Sequence, residues 1–243
     1  MVLSRTEIES MAIAIMKDFN SIFWKNLDIP YKSPQATPID QFATEYLGLD
    51  VTFYPLSKDG SFLGLTAYAD TEYILNLEGK QHTLPLKKNQ VVLDNGFIDP
   101  VKIKDLCGKR RFTLAHECAH QILYALEQDE GKTACRRLYS ERRVYDRRSQ
   151  RKEIDWTEWQ ADSLGAAILM PSHEIQTAME FLMPQKKLVT YGNKVPEESS
   201  LVLTRLCKLF GVSKTAMSIR LKHLGYVQDL PLSMFFGPAE VVS

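Results

Sequence analysis

Residues 111–120 read Arg111-Phe112-Thr113-Leu114-Ala115-His116-Glu117-Cys118-Ala119-His120. They lie within a run, Lys109 to Leu126, in which Leu114, Ala115, Cys118, Ile122 and Leu126 recur at helical spacing. At 3.6 residues per turn, His116 and His120 fall one turn apart on the same helix face. Two imidazoles so placed can grip one metal ion. Glu117 sits beside them, where it reaches the attacking water rather than the ion. Two histidine ligands and a general base from one helical turn is the layout of a zinc hydrolase.

Such a site needs a third ligand and an open position. A metzincin would carry Gly at position 123 and His at 126, and both are leucine here. The third ligand is therefore expected downstream, on a second helix. Trp156-Thr157-Glu158-Trp159-Gln160-Ala161-Asp162 opens an apolar segment, Thr157 to Leu169, stopped by Met170-Pro171. Glu158 is the expected ligand. Asp162, four residues on, shares its face and can accept the second ring N–H of a ligand histidine. Zinc is the default ion for two His and one Glu, and manganese also suits the set. His173-Glu174 starts a similar motif, but Thr177 stands where a second histidine would be needed. It is read as a surface pair after Pro171.

Working outward, Ser4 to Asn26 reads as an amphipathic helix with a capping-box pair, Ser4 and Glu7. A second helix is expected over Pro38 to Leu47, stopped by Gly48. Val51–Tyr54, Leu63–Tyr68, Tyr73–Leu77 and Gln90–Leu93 are strand candidates, with turn signals at Asp59-Gly60 and Glu78-Gly79. Helices, then strands, then helices again point to an α+β fold.

The blocks Arg111-Phe112-Thr113-Leu114-Ala115-His116-Glu117…His120 and Glu158-x-x-Ala161-Asp162…Ala166-Ala167-x-Leu169-Met170-Pro171 resemble those of the ImmA/IrrE metallo-endopeptidases. With their flanks they cover roughly residues 90–175. The departures are Cys118, where the family often has Leu or Ile, and Leu164-Gly165, where Phe-Ala is usual. The resemblance implies a zincin-like core, a small mixed sheet packed on the HExxH helix, spanning residues 1–175. It also implies a cytoplasmic peptidase acting on a transcriptional repressor, commonly a helix-turn-helix protein encoded beside it. The gap from His120 to Glu158 is longer than the family's usual spacing, so an arginine-rich insertion is expected over about 128–155.

Within that insertion, 136–152 carries paired basic residues from Arg136-Arg137 to Arg151-Lys152, interrupted by Glu141 and Asp146. It reads as a solvated stretch with internal ion pairs. The sharper reading is a basic patch that recruits an acidic partner, or nucleic acid bound to that partner, an indirect DNA association.

Residues 196–228 read as a helix-turn-helix-like segment: an apolar helix ending at Phe210, the turn Gly211-Val212-Ser213, and a second helix that Ser213 can cap. Lys214, Thr215, Ser218 and Lys222 are a modest offering to DNA bases, so a structural or protein-contacting pair is preferred. Residues 229–243 are read as a tail.

The chain has 243 residues with 30 basic and 30 acidic side chains, so net charge argues for neither nucleic acid nor membrane. The longest apolar run, Met11 to Met16, is far short of a membrane span. Four scattered cysteines without a CxxC pair suit a reducing compartment. No signal peptide is read at the N-terminus, and a cytoplasmic location is expected.

The expected function is zinc-dependent cleavage of one regulatory protein. An extended substrate would add to the edge of the sheet formed by residues 51–93. Tyr124, Arg111 and Tyr191 are equal candidates for a donor to the oxyanion. The alternatives are a DNA-associated regulator with a structural or sensory metal site, and a hydrolase of short peptides.

Overall fold

The computed structural model describes residues 3–28, 30–77, 79–129, 156–192 and 194–235. The arginine-rich stretch 136–152 and the end of the tail, 236–243, lie outside the described residues. The fold is α+β.

Helix α1, Arg5–Asn26, begins where expected. The Ser4 hydroxyl accepts the Glu7 amide while the Glu7 carboxylate accepts the Ser4 amide. Its inner face buries Ile8, Ala12, Met16 and Phe19. The second helix is shorter and differently wound than expected. A single α-turn, Ile39–Gln41 (α2), passes into a π-helical turn over Phe42–Tyr46. That turn stacks Phe42 on Tyr46 and sets both rings edge-on to Phe19 of α1.

Five strands follow, one more than the expected four. Strand β1 is Asp50–Tyr54, β2 Gly64–Ala67, β3 Thr71–Leu77, β4 Lys80–Leu86 and β5 Gln90–Asp94. The main sheet is mixed, in the order β1-β5-β2, with β1 parallel and β2 antiparallel to β5. Val91 and Leu93 join the main core on one face, and Val92 joins Leu56, Ala67, Leu75 and Leu86 on the other. The unexpected strand, β4, pairs with β3 in a hairpin. Its polar start, Lys80-Gln81-His82-Thr83, and Pro85 hide it from a periodicity reading. Gly79, at φ +77°, makes the turn.

Helix α3, Ile103–Asp129, starts six residues earlier than Lys109 and runs past Leu126. Its first turn is anchored by Asp99 O, which accepts from the amides of Lys102 and Ile103. Its buried face carries Leu114, Ala115, Cys118, Ala119 and Leu123. Ile122, expected inside, is only partly buried. Helix α4, Trp156–Leu169, packs along α3, and α1 lies against α4.

Met170-Pro171 ends α4 at Leu169 as expected, and a further helix, α5, Ser172–Leu182, starts directly after Pro171. Beyond it come β6 (Leu188–Tyr191), α6 (Glu197–Phe210), α7 (Lys214–His223) and β7 (Val227–Leu230). Strand β7 pairs in parallel with β6, so the start of the expected tail is an element of the fold. The expected pairing of α6 and α7 through Gly211 is present, with the Ser213 hydroxyl accepting the Ala216 amide.

This helical pair is built into the main core through Val202, Leu206, Phe210, Val212, Met217 and Leu221. Arg220 of α7 is 4% exposed. Its guanidinium donates to both carboxylate oxygens of Glu9 at 2.6 and 2.8 Å and to Met170 O at 2.9 Å. Removing one partner strands a buried charge. Arg220→Ala is therefore expected to cost about 3 kcal/mol, read from the denaturant midpoint at unchanged slope.

No helix among the described residues is long and apolar enough to cross a membrane. The described cysteines, Cys107, Cys118 and Cys207, are free.

Candidate metal centre

The expected ligands come together. His116 and His120 project from one face of α3, and Glu158 reaches them from the first turn of α4. The two Nε2 atoms are 2.9 Å apart. Glu158 Oε2 is 3.2 Å from His116 Nε2, and its Oε1 is 3.2 Å from His120 Nε2. Among the described residues these three form a group able to hold a metal ion.

The geometry fits such an ion. Donors bound tetrahedrally at about 2.0–2.1 Å lie roughly 3.3–3.4 Å apart, close to the separations here. The tautomers fit as well. Asp162 Oδ1 lies 2.9 Å from His116 Nδ1, where it accepts a proton held on Nδ1 and leaves Nε2 as the atom that would meet an ion. Asp162 holds the position expected for it. Glu158, Asp162 and the nearby Glu117 bring three carboxylates around two imidazoles, a charge balance that suits a divalent cation.

The electrostatics express the same excess of acid. Burial favours the neutral form of His116, but hydrogen bonds to Asp162 and Glu158 and the neighbouring carboxylate charges outweigh it, raising its pKa to about 10. Burial alone would raise the Glu158 pKa; hydrogen bonds from His116 and His120 instead hold it well below the usual carboxylate range. Glu117 is buried, and desolvation pushes its pKa up against the pull of both histidines. A desolvated carboxylate of raised pKa suits a general base.

Helix α3 is tied to the sheet at the same level. The Gln121 amide donates to Thr66 Oγ1 at 2.6 Å and to Ala67 O at 3.1 Å. Gly64 of β2 lies so close to α3 that a β-carbon there would stand 2.9 Å from Glu117 Oε1 and 2.8 Å from Thr113 Cγ2. Neither Gly64 nor Gln121 carries a sequence signal, because both contacts join segments about fifty residues apart.

Two candidates for an oxyanion donor are engaged elsewhere. Arg111 donates to Thr37 O at 2.8 Å and, at 3.5 Å, to Phe210 O, fastening the turn between α6 and α7 to α3. Tyr191 lies in β6, paired to β7 and edge-on to Phe235. Tyr124 is one turn beyond His120 on α3 and stacks on Tyr68 at 4.2 Å.

His173-Glu174 is not a surface pair. His173 is exposed and meets the Tyr31 hydroxyl, but Glu174 is only 2% exposed. Glu174 Oε2 accepts from Ser33 Oγ at 2.7 Å and from the Gln35 amide at 3.1 Å. The helical spacing of Ile175, Ala178 and Met179 carried the missed signal for α5. Burial raises the Glu174 pKa from 4.5 to about 6, against the Gln35 hydrogen bond. The folded state thus holds this proton more tightly than the unfolded chain. Its contribution to stability is full below pH 4.5 and lost as pH rises through 6. Glu174→Gln does not titrate. Its stability advantage over the wild type is expected to grow by about 2 kcal/mol between pH 4 and pH 7, read by urea unfolding at both values.

No protein-family model matches the chain, and no curated protein matches it either.

Proposed function

We propose that the chain is a zinc-dependent endopeptidase of the ImmA/IrrE type, with a zincin-like core, that cleaves one regulatory protein, a helix-turn-helix transcriptional repressor. The observation that carries this reading is the convergence of His116 Nε2, His120 Nε2 and the Glu158 carboxylate on one point, beside a buried Glu117.

His116, His120 and Glu158 would hold the ion, and Asp162 would keep His116 in the ligating tautomer. Zinc, when bound, acidifies a water molecule and polarises the scissile carbonyl. Glu117 takes the proton of the attacking water and hands it to the departing amine. Carbonyl carbon and water oxygen become bonded, the C–N bond breaks, and the proton carried by Glu117 ends on nitrogen.

The edge of β2 supports an extended substrate. The Asp94 amide donates to Leu63 O, so Leu63 and Leu65 turn their polar backbone groups toward β5. By alternation, Gly64 and Thr66 turn theirs to the outer edge. Among the described residues no strand pairs with that edge. A peptide strand added there would lie along the strand that touches Glu117.

The DNA-associated alternative draws less support. Helix α7 spends Met217, Arg220 and Leu221 on the core, and the Val212–Ser213 backbone approaches Gly108 of α3 closely. The test is incubation of zinc-loaded chain with the helix-turn-helix protein encoded beside it. A single cut by the wild type and none by Glu117→Gln supports the reading. Equal survival of the repressor with both loaded proteins rejects it.

A further inference from the structure

Strand β2 lies along α3 in step with its turns. A β-carbon on Gly64 would meet Thr113 and Glu117 of α3. Two residues on, Thr66 Oγ1 accepts from the Gln121 amide at 2.6 Å. Two further on, the Tyr68 ring stacks on Tyr124, with centroids 4.2 Å apart and planes 22° from parallel. Alternate residues of an extended chain share a face, so positions 64, 66 and 68 all turn toward α3. Glu117, Gln121 and Tyr124 meet them from successive turns of the helix.

The wall so built changes character along its length. Beside Glu117 it is bare backbone, because position 64 has no side chain. Past His120 it is a pair of half-buried aromatic rings. Neither ring belongs to the hydrophobic clusters on the two faces of the sheet, so core packing does not account for the pair. It stands at the end of a strand whose outer edge no described strand covers.

We infer that Tyr68 and Tyr124 set substrate specificity, as an aromatic platform for a large apolar side chain of a peptide strand added to the edge of β2. The inference rests on reading the site as a zinc endopeptidase whose substrate lies along that edge, and it names the side-chain class that the edge selects. Two phenol rings offer apolar faces without formal charge, which favours Phe, Leu or Met over Asp or Glu. Tyr124 is four residues beyond His120, about 6 Å along the helix axis. An extended chain covers that distance in about two residues, which places the selected side chain at roughly the second or third residue from the scissile bond.

The experiment uses the zinc-loaded chain and short peptide hydroxamates, whose terminal group binds zinc. Probes carry the hydroxamate at either the N- or the C-terminal end. The second and third residues from it are Phe, Ala or Glu in turn. Affinities are measured by calorimetry for the wild type, Tyr68→Ala, Tyr124→Ala, Tyr68→Phe and Tyr124→Phe. In one chain direction, the wild type is expected to prefer Phe to Ala by about tenfold at one of the two positions, and to bind the Glu probe no better than Ala. Either alanine variant should cut that preference below about threefold while its affinity for the Ala probe stays within about twofold of wild type. Both phenylalanine variants should keep the preference, since the ring and not the hydroxyl makes the platform. A stack that merely fastens β2 to α3 would weaken Phe and Ala probes together. That result overturns the inference, as does a zinc-loaded wild type that binds no probe or shows no preference for Phe. Should an alanine variant not fold, glutamine at the same position, which keeps length and removes the ring, is read by the same criterion. A wild type that takes up no zinc would instead reject the metal reading on which the inference rests.

Discussion

In Glu117→Gln, cleavage of the repressor substrate is expected to fall by about 10²–10⁴-fold while zinc stays bound. The substitution keeps the size of the side chain and removes only its ability to take a proton. Size matters at this position. Glu117 is enclosed by α3 and by the backbone of β2 at Gly64, which leaves no room for a larger group and would leave a void beneath a smaller one. The ligand set is untouched, because neither His116, His120 nor Glu158 uses Glu117 as its hydrogen-bond anchor; Asp162 serves His116. Metal content by elemental analysis and product formation by mass spectrometry, on the same sample, separate the two effects. Full zinc with cleavage at the wild-type rate would remove Glu117 from the chemistry.

The second large effect is on the metal. His120→Ala and Glu158→Ala are each expected to reduce bound zinc from about one per chain to essentially none after dialysis. Each removes one of three donors that lie 2.9–3.2 Å from one another. The remaining pair cannot hold a divalent ion against solvent. Stability offers an independent readout. An ion that binds only the folded chain stabilises it by about 4 kcal/mol at a thousandfold excess over its dissociation constant. Zinc should therefore raise the melting temperature of the wild type and leave those of both variants where they were. Removing Glu158 also takes from His116 and His120 the carboxylate to which both are hydrogen-bonded. The metal-free melting temperature of each variant is therefore its own baseline for the zinc-induced shift. A wild type that takes up no zinc on reconstitution would contradict the site altogether.

The candidate site was legible along the chain because its information is local. His116, Glu117 and His120 occupy five consecutive residues, and Glu158 and Asp162 another five. A helix converts such spacings directly into a shared face, with no help from the rest of the fold. The same holds for the Ser4–Glu7 cap of α1 and the Gly211-Val212-Ser213 turn between α6 and α7. The misreadings are of another kind. Strand β4 is held by pairing with β3 despite a polar sequence and an internal proline. Strands β6 and β7 are four residues each and exist by pairing across almost forty residues. Glu174 looked like a surface carboxylate because its partners, Ser33 and Gln35, lie some 140 residues earlier.

Helical periodicity within residues 111–126 and 157–169 was enough to name a candidate metal-binding face and the carboxylates that meet it, since a turn of helix is set by its own backbone. Where those two faces meet is a matter of packing between distant segments. The enclosure of Glu117 follows from a strand that precedes it by half a hundred residues. Backbone hydrogen bonds four residues apart make the first kind of statement possible; close-packing of side chains and backbones brought together from across the chain makes the second.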